Sequence, residues 1–165
     1  MAERPFAETR RFRVMRVAVG AGNPLVNRLL DSRLAGPMGR HLLLLRYRGR
    51  RSGRTVTTPV GYVRDGRRIV IVTSPSYRWW PNFVGGARAD LRLPGGWRRA
   101  TVEVVPPDDP RYDEAVALQV ARRGPGMVRG FGVEVDDAGR VTAEAKATAP
   151  ALVLVVLATL DGATA

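Results

Sequence analysis

Leu42-Leu43-Leu44-Leu45-Arg46-Tyr47-Arg48-Gly49-Arg50-Arg51-Ser52-Gly53-Arg54-Thr55-Val56-Thr57-Thr58-Pro59 is the stretch from which the architecture can be read. Periodicity alone does not separate a buried strand from a buried helix over four leucines. The shortness of the run and the glycine that follows favour a strand buried on both faces. Thr55 to Val63, rich in Thr and Val, reads as a second strand. Asp65-Gly66 is a tight hairpin signal, and Arg68 to Thr73, with Ile69-Val70-Ile71-Val72, is the return strand.

Outward from this core the pattern repeats. Ala89, Leu91 and Leu93 alternate with Arg88, Asp90 and Arg92. Gly95-Gly96 turns the chain, and Ala100, Val102 and Val104 alternate with Thr101 and Glu103. This predicts a second hairpin with one wet face. Asp109-Pro110 is a helix start, Gly124-Pro125-Gly126 a helix stop near Arg123. Val133 to Ala147 is too polar to assign, and Leu152 to Leu157 reads as a closing strand. Upstream, Phe12, Met15 and Val19 fall on one face of a short basic amphipathic helix. That helix packs on its own domain or rests on an anionic membrane surface. Asn23-Pro24 starts another helix carrying Leu25, Leu29 and Leu30.

The expected molecule is α+β, mainly β. It is one domain over 1–165, with a helical segment over 1–38 and a small antiparallel barrel over 40–160 that carries an inserted helix near 109–123.

Composition removes several chemistries. The 165 residues hold no cysteine, which excludes disulfides, thiolate metal sites and thiol nucleophiles. His41 is the only histidine and Lys146 the only lysine, and neither lies in a catalytic or P-loop motif. No metal site is expected. The formal charge is +12, almost all of it arginine. That arises either from genome-wide arginine usage or from selection for bidentate anion binding. Asp108-Asp109 and Asp136-Asp137 sit beside turn residues and read as caps and turns, not as a catalytic pair. No secretory or membrane-spanning pattern is present, so a cytoplasmic protein is expected, with membrane association through the N-terminal helix as a variant.

Three segments could carry chemistry. Gly49-Arg50-Arg51-Ser52-Gly53-Arg54 combines two glycines, a hydroxyl and three guanidiniums. It suits either a phosphate grip or a solvated turn. Thr57-Thr58-Pro59 places a residue without an N–H in a strand, which marks an edge, a bulge or a break in pairing that frees backbone groups for a planar ligand. Thr73-Ser74-Pro75-Ser76-Tyr77-Arg78-Trp79-Trp80-Pro81-Asn82 offers two indoles to cover a flat ligand or to plug a barrel end.

Taken in order, the four leucines, Gly49-Arg50-Arg51-Ser52-Gly53, Thr57-Thr58-Pro59, Asp65-Gly66, Thr73-Ser74 and Trp79-x-x-Asn82 resemble the deazaflavin-dependent nitroreductase family of actinobacteria. These are split β-barrel proteins related to the pyridoxamine-phosphate-oxidase-like, FMN-binding flavoproteins. The resemblance runs from about Arg40 to Val105. It implies coenzyme F-420, a deazaflavin with a phosphate and an oligoglutamate tail. It implies a phosphate held by Arg50, Arg51, Ser52 and Gly53, with Arg54 beside them. It implies a ring lined by Thr57, Thr58, Pro59, Val60, Thr73 and Ser74, and a cofactor edge near Trp79 and Asn82. Val56 departs from the family, which often has a basic residue at that position.

The function implied is hydride transfer from reduced F-420 to a small, hydrophobic, electron-poor quinone, enone or nitro compound. Tyr62, Ser74, Ser76 and Tyr77 are the candidate proton donors. The alternative is a split-barrel binding protein for FMN, haem or a fatty acid. Specific nucleic-acid binding is not expected, because no recognition motif accompanies the arginines. Relatives of this kind often build the site between two subunits, so a homodimer is a further implication.

Overall fold

A computed structural model describes residues 40–136 and 140–162. The N-terminal helices expected over 1–38 lie outside the described residues. Seven strands are present: β1 (Leu42–Arg48), β2 (Thr55–Gly61), β3 (Val63–Asp65), β4 (Arg68–Thr73), β5 (Ala87–Leu93), β6 (Gly96–Val105) and β7 (Leu154–Leu160). Among the described residues, three α-helices accompany them: α1 (Pro110–Arg123), α2 (Gly126–Arg129) and α3 (Ala143–Leu152).

The strand order is β2-β1-β5-β6-β7-β4-β3, with every pairing antiparallel. One connection forces the shape. β2 and β3 are the two edges of the sheet, yet only Tyr62 separates them in the chain. In a flat sheet the edges would lie about 29 Å apart, six spacings of about 4.8 Å. Two Cα steps span less than about 8 Å. The sheet therefore curls until its edges meet, giving the expected barrel.

Strand alternation divides the apolar residues into two cores. Leu43, Leu45, Ile69, Ile71, Leu91, Val102, Val156 and Ala158 fill the barrel. Their neighbours Val70, Val72, Val105, Val155 and Leu157 face outward and are covered by Tyr112, Ala115 and Val116 of α1, Val128 of α2 and Ala145 of α3. The leucine run behaves as read: Leu43 and Leu45 point inward, and Leu44 between them is buried as well. In the β5–β6 hairpin, Arg88, Arg99 and Thr101 form the wet face.

α1 starts and stops where its caps are. Asp109 accepts the Arg111 N–H at 2.9 Å, Pro110 occupies the first turn, and Gly124 closes the helix at φ 80°. Two sequence expectations change. The closing strand runs over Leu154–Leu160, later than expected. The polar stretch before it contains α3, whose alternate alanines favour helix. Pro150 lies near the end of α3, where it does not prevent the helix from forming.

Candidate active site

The two chemistry-bearing loops meet over one end of the barrel. The first, between β1 and β2, is closed by its own backbone. Gly49 N–H reaches Arg54 O at 2.9 Å, Gly53 N–H reaches Gly49 O at 2.8 Å, and Arg54 N–H reaches Ser52 Oγ at 3.3 Å. A Cβ at Gly49 would lie 2.7 Å from Ser52 Oγ, so a larger residue there would turn the serine hydroxyl out of its place in the loop. The second loop runs from Ser74 into a short 3-10 turn, Trp80–Phe83. The Trp80 indole donates to Pro75 O at 3.0 Å, and Ser74 Oγ and Ser76 Oγ are 2.9 Å apart.

Arg50 and Asn82 bolt the loops together. Arg50 N–H donates to Asn82 Oδ1 at 2.9 Å, and Asn82 Nδ2 donates to Trp79 O at 2.8 Å. The Arg50 guanidinium donates to the carbonyls of Pro81 and Val84 at 3.2 and 3.3 Å. Beneath them lies an aromatic layer. Phe83 stands edge-on to Tyr47 at 5.2 Å and to Trp79 at 6.0 Å between ring centroids.

Above that layer is an open cleft of about 1040 Å³. Gly49, Arg50, Arg51, Ser52 and Val56 form one wall. Pro75, Ser76, Tyr77, Arg78, Trp80, Pro81 and Asn82 form the other, and Tyr47 lies at the floor. Among the described residues, three arginines line the cleft and no carboxylate does. Arg50 is engaged as a strut. Arg51 and Arg78 are exposed and have no hydrogen-bond or ion-pair partner among the described residues.

The structure brings Arg50, Arg51, Ser52, Ser76, Tyr77 and Asn82 of the sequence-derived set into the walls. Gly53 and Arg54 complete the first loop without lining the cleft. Thr57, Thr58, Pro59 and Val60 belong to β2, and Thr73 ends β4. Ser74 sits just behind the wall, bonded to Ser76, and Trp79 is buried in the aromatic layer. Tyr62 is inside the barrel at the β2–β3 junction and is not brought to the cleft. Burial pushes its phenol pKa up, with Arg64 partly offsetting the shift. Sequence reasoning passed over Tyr47, Arg78 and Trp80 as individual site residues. Arg78 and Trp80 stand inside the stretch already singled out. Tyr47 shares its inward face with Leu43 and Leu45, so periodicity marked it as core.

Residues 26–126 match the family described as F-420H2-dependent quinone reductase. The chain belongs to this family. The match bears out the deazaflavin resemblance, and it makes the protein an oxidoreductase whose cofactor is coenzyme F-420. No curated protein matches the chain. Among solved structures, the haem storage protein HutZ from Vibrio cholerae is similar at 12% identity, covering 85% of this chain and 90% of that one, with a TM-score of 0.50. An F-420 reductase is similar at 10% identity, covering 82% and 93% with a TM-score of 0.40. A Listeria innocua protein assigned as a pyridoxamine 5′-phosphate oxidase is similar at 8% identity, covering 84% and 93% with a TM-score of 0.45. The HutZ likeness shows the fold, a split barrel, and nothing of the ligand.

The cleft of this F-420-dependent reductase fits an anionic, flat cofactor. Among the described residues, two guanidiniums on its walls have no partner and no carboxylate competes for them. Tyr77, Trp80 and Pro75 supply flat surfaces. Among the described residues, no helix is long and apolar enough to cross a membrane.

Proposed function

We propose that the protein reduces a small, electron-poor quinone, enone or nitro compound in the cleft between the 49–54 and 74–84 loops. Reduced F-420, when bound, supplies the hydride. Every other requirement falls on the chain: binding, orientation and control of water. The observation that carries this reading is that, among the described residues, Arg51 and Arg78 have no partner and no carboxylate lines the walls around them.

In this reading Arg51 and Arg78 hold the cofactor's phosphate and carboxylates through charge-assisted hydrogen bonds. Ser52 adds a hydroxyl, and Gly53 and Arg54 set the curvature of the loop. Arg50 and Asn82 are positioning residues, since their polar atoms tie one loop to the other. Thr57, Thr58, Pro59, Val60, Thr73 and Ser74 support the ring-facing walls from the strand ends, and Trp79 supports them from below. Ser76 and Tyr77 line the space where the acceptor would lie and orient its oxygens.

Binding of FMN or haem is the second reading. The HutZ likeness brings haem to mind, but the commonest haem ligand is missing from the cleft. His41 is the chain's only histidine, and it precedes β1, whose far end meets the cleft. A fluorescence titration with F-420 at about 150 mM salt, with FMN and haem in parallel, tests the proposal, since screening is already strong there. Saturable F-420 binding with weaker FMN and haem binding is expected. Preference for FMN or haem, or no F-420 binding at all, overturns it.

A further inference from the structure

We infer that the Tyr47 hydroxyl donates the proton that completes the reduction, a role that rests on the F-420-dependent reading above. β1 directs Leu43, Leu45 and Tyr47 into the barrel, and Tyr47 is the one of the three that reaches the cleft. Its residue surface is only 7% exposed. The ring is held edge-on to Phe83, itself fully buried, so the phenol has little freedom to swing.

The hydroxyl itself is neither engaged nor sealed. It has no hydrogen-bond partner among the described residues. Among those residues, the only sealed-off side-chain polar atom without a partner is Gln119 Oε1. The Tyr47 hydroxyl is therefore not sealed off, and Tyr47 lines both this cleft and a smaller cavity of about 410 Å³ beside Arg88, Asp90 and Arg99. A rigid ring presenting a free O–H is a preorganised donor. Four other hydroxyls are placed differently, whereas Tyr77 lines the cleft as Tyr47 does. Ser74 and Ser76 bond each other, the Tyr112 hydroxyl donates to Val153 O under the helices, and Tyr62 is inside the barrel. Burial pushes the Tyr47 phenol above its ordinary value, so it carries its proton throughout the neutral range.

The step balances for a carbonyl acceptor, a quinone or an enone. The acceptor gains a hydride from the reduced cofactor, which is oxidised by two electrons. An electron pair moves onto the acceptor's carbonyl oxygen. That oxygen takes the Tyr47 proton as the O–H bond breaks. Water at the open mouth of the cleft returns a proton to the phenolate. Arg50 and Arg51, on the adjoining wall, favour the transient negative charge.

Tyr47→Phe tests this, because it keeps the ring and its packing. With a soluble quinone, kcat is expected to fall about 100-fold or more while KM shifts little, the usual size of a lost general acid. Two readouts stand apart from turnover. F-420 affinity by fluorescence should stay within about twofold of the unmutated protein. Affinity of the oxidised complex for a hydroquinone product should fall about threefold to tenfold, the worth of one neutral hydrogen bond. A variant whose kcat stays within about threefold overturns the proposal. So does a loss of activity matched by an equal loss of F-420 affinity, and so does a loss that follows Tyr77→Phe in place of Tyr47→Phe. If the unmutated protein binds F-420 but reduces neither quinones nor enones, the acceptor reading fails and this role fails with it. If it reduces them and Tyr47→Phe does too, this role alone fails.

Discussion

The outer wall of the barrel and the wall of the cleft are both rich in arginine, and they differ in what surrounds it. Outside, Arg46 meets Asp90 at 3.0 Å and lies 4.1 Å from the Trp97 ring centroid. Arg88 meets Asp161, and Arg68 meets Asp65 at 3.0 Å. Arg111 bridges Glu103 and Asp109 at 2.6 and 2.7 Å. Inside the cleft, Arg51 and Arg78 face no acid among the described residues. A net charge of +12 therefore says little about partners until the carboxylates are placed. Paired guanidiniums cancel locally, whereas unpaired ones in a concave wall keep their field for an incoming anion.

The contrast is broken or sharpened most strongly by removing both free guanidiniums. Arg51→Ala combined with Arg78→Ala should weaken F-420 binding at least about 100-fold, since each charge-assisted contact contributes about 1.5–3 kcal/mol. A fluorescence titration that shows less than a tenfold loss would place the anion elsewhere. Asn82→Ala removes two hydrogen bonds at once, the one accepted from Arg50 N–H and the one donated to Trp79 O. It should cost about 1–2 kcal/mol of stability and loosen F-420 binding severalfold, less than the double arginine variant. Equal affinity in a calorimetric comparison would mean the loop keeps its shape without the bolt. Arg88→Ala is the counterpart on the outer wall. It should cost no more than about 1 kcal/mol of stability and leave F-420 affinity unchanged. A tenfold loss there would dissolve the distinction between the two walls.

The strands were legible because their signals are local. Alternation in 89–104, the Asp65-Gly66 turn and the leucine run each specify a face or a reversal within a few residues. Closure of the barrel was less visible. It depends on Tyr62 being the whole connection between opposite sheet edges, which appears only once the pairing is known. α3 was missed because polarity masked the helix propensity of its alanines. At the site, the loop with Arg51 and Ser52 was readable as chemistry, but the division of labour between adjacent arginines was not. Arg50 and Arg51 are identical in sequence terms, and only the carbonyls of Pro81 and Val84 make one of them a strut. Tyr47 was hidden for a similar reason, since an inward position and a place at the cleft coincide only at the end of a strand.

The smallest expected effect lies in the pH response of the outer wall. Hydrogen bonds from the Arg111 side chain, and then from its backbone N–H, hold the Asp109 carboxyl below its ordinary value. A folded-state value below the unfolded one means the unfolded chain binds the proton more readily. The contribution to stability is then complete above the ordinary aspartate range, about pH 4, and is lost as pH falls through the folded value. Asp109→Asn keeps an oxygen that can cap α1 and removes the charge, so only the ionic part is deleted. The unfolding midpoints of the two proteins should differ near pH 7 and converge as the pH falls through the depressed folded-state value of Asp109. The cleft wall offers no such convergence, because among the described residues no carboxylate lines it and Arg51 has no partner to lose. Parallel midpoint curves for Asp109→Asn and the unmutated protein would show that the Arg111 pairing is a surface contact without energetic weight.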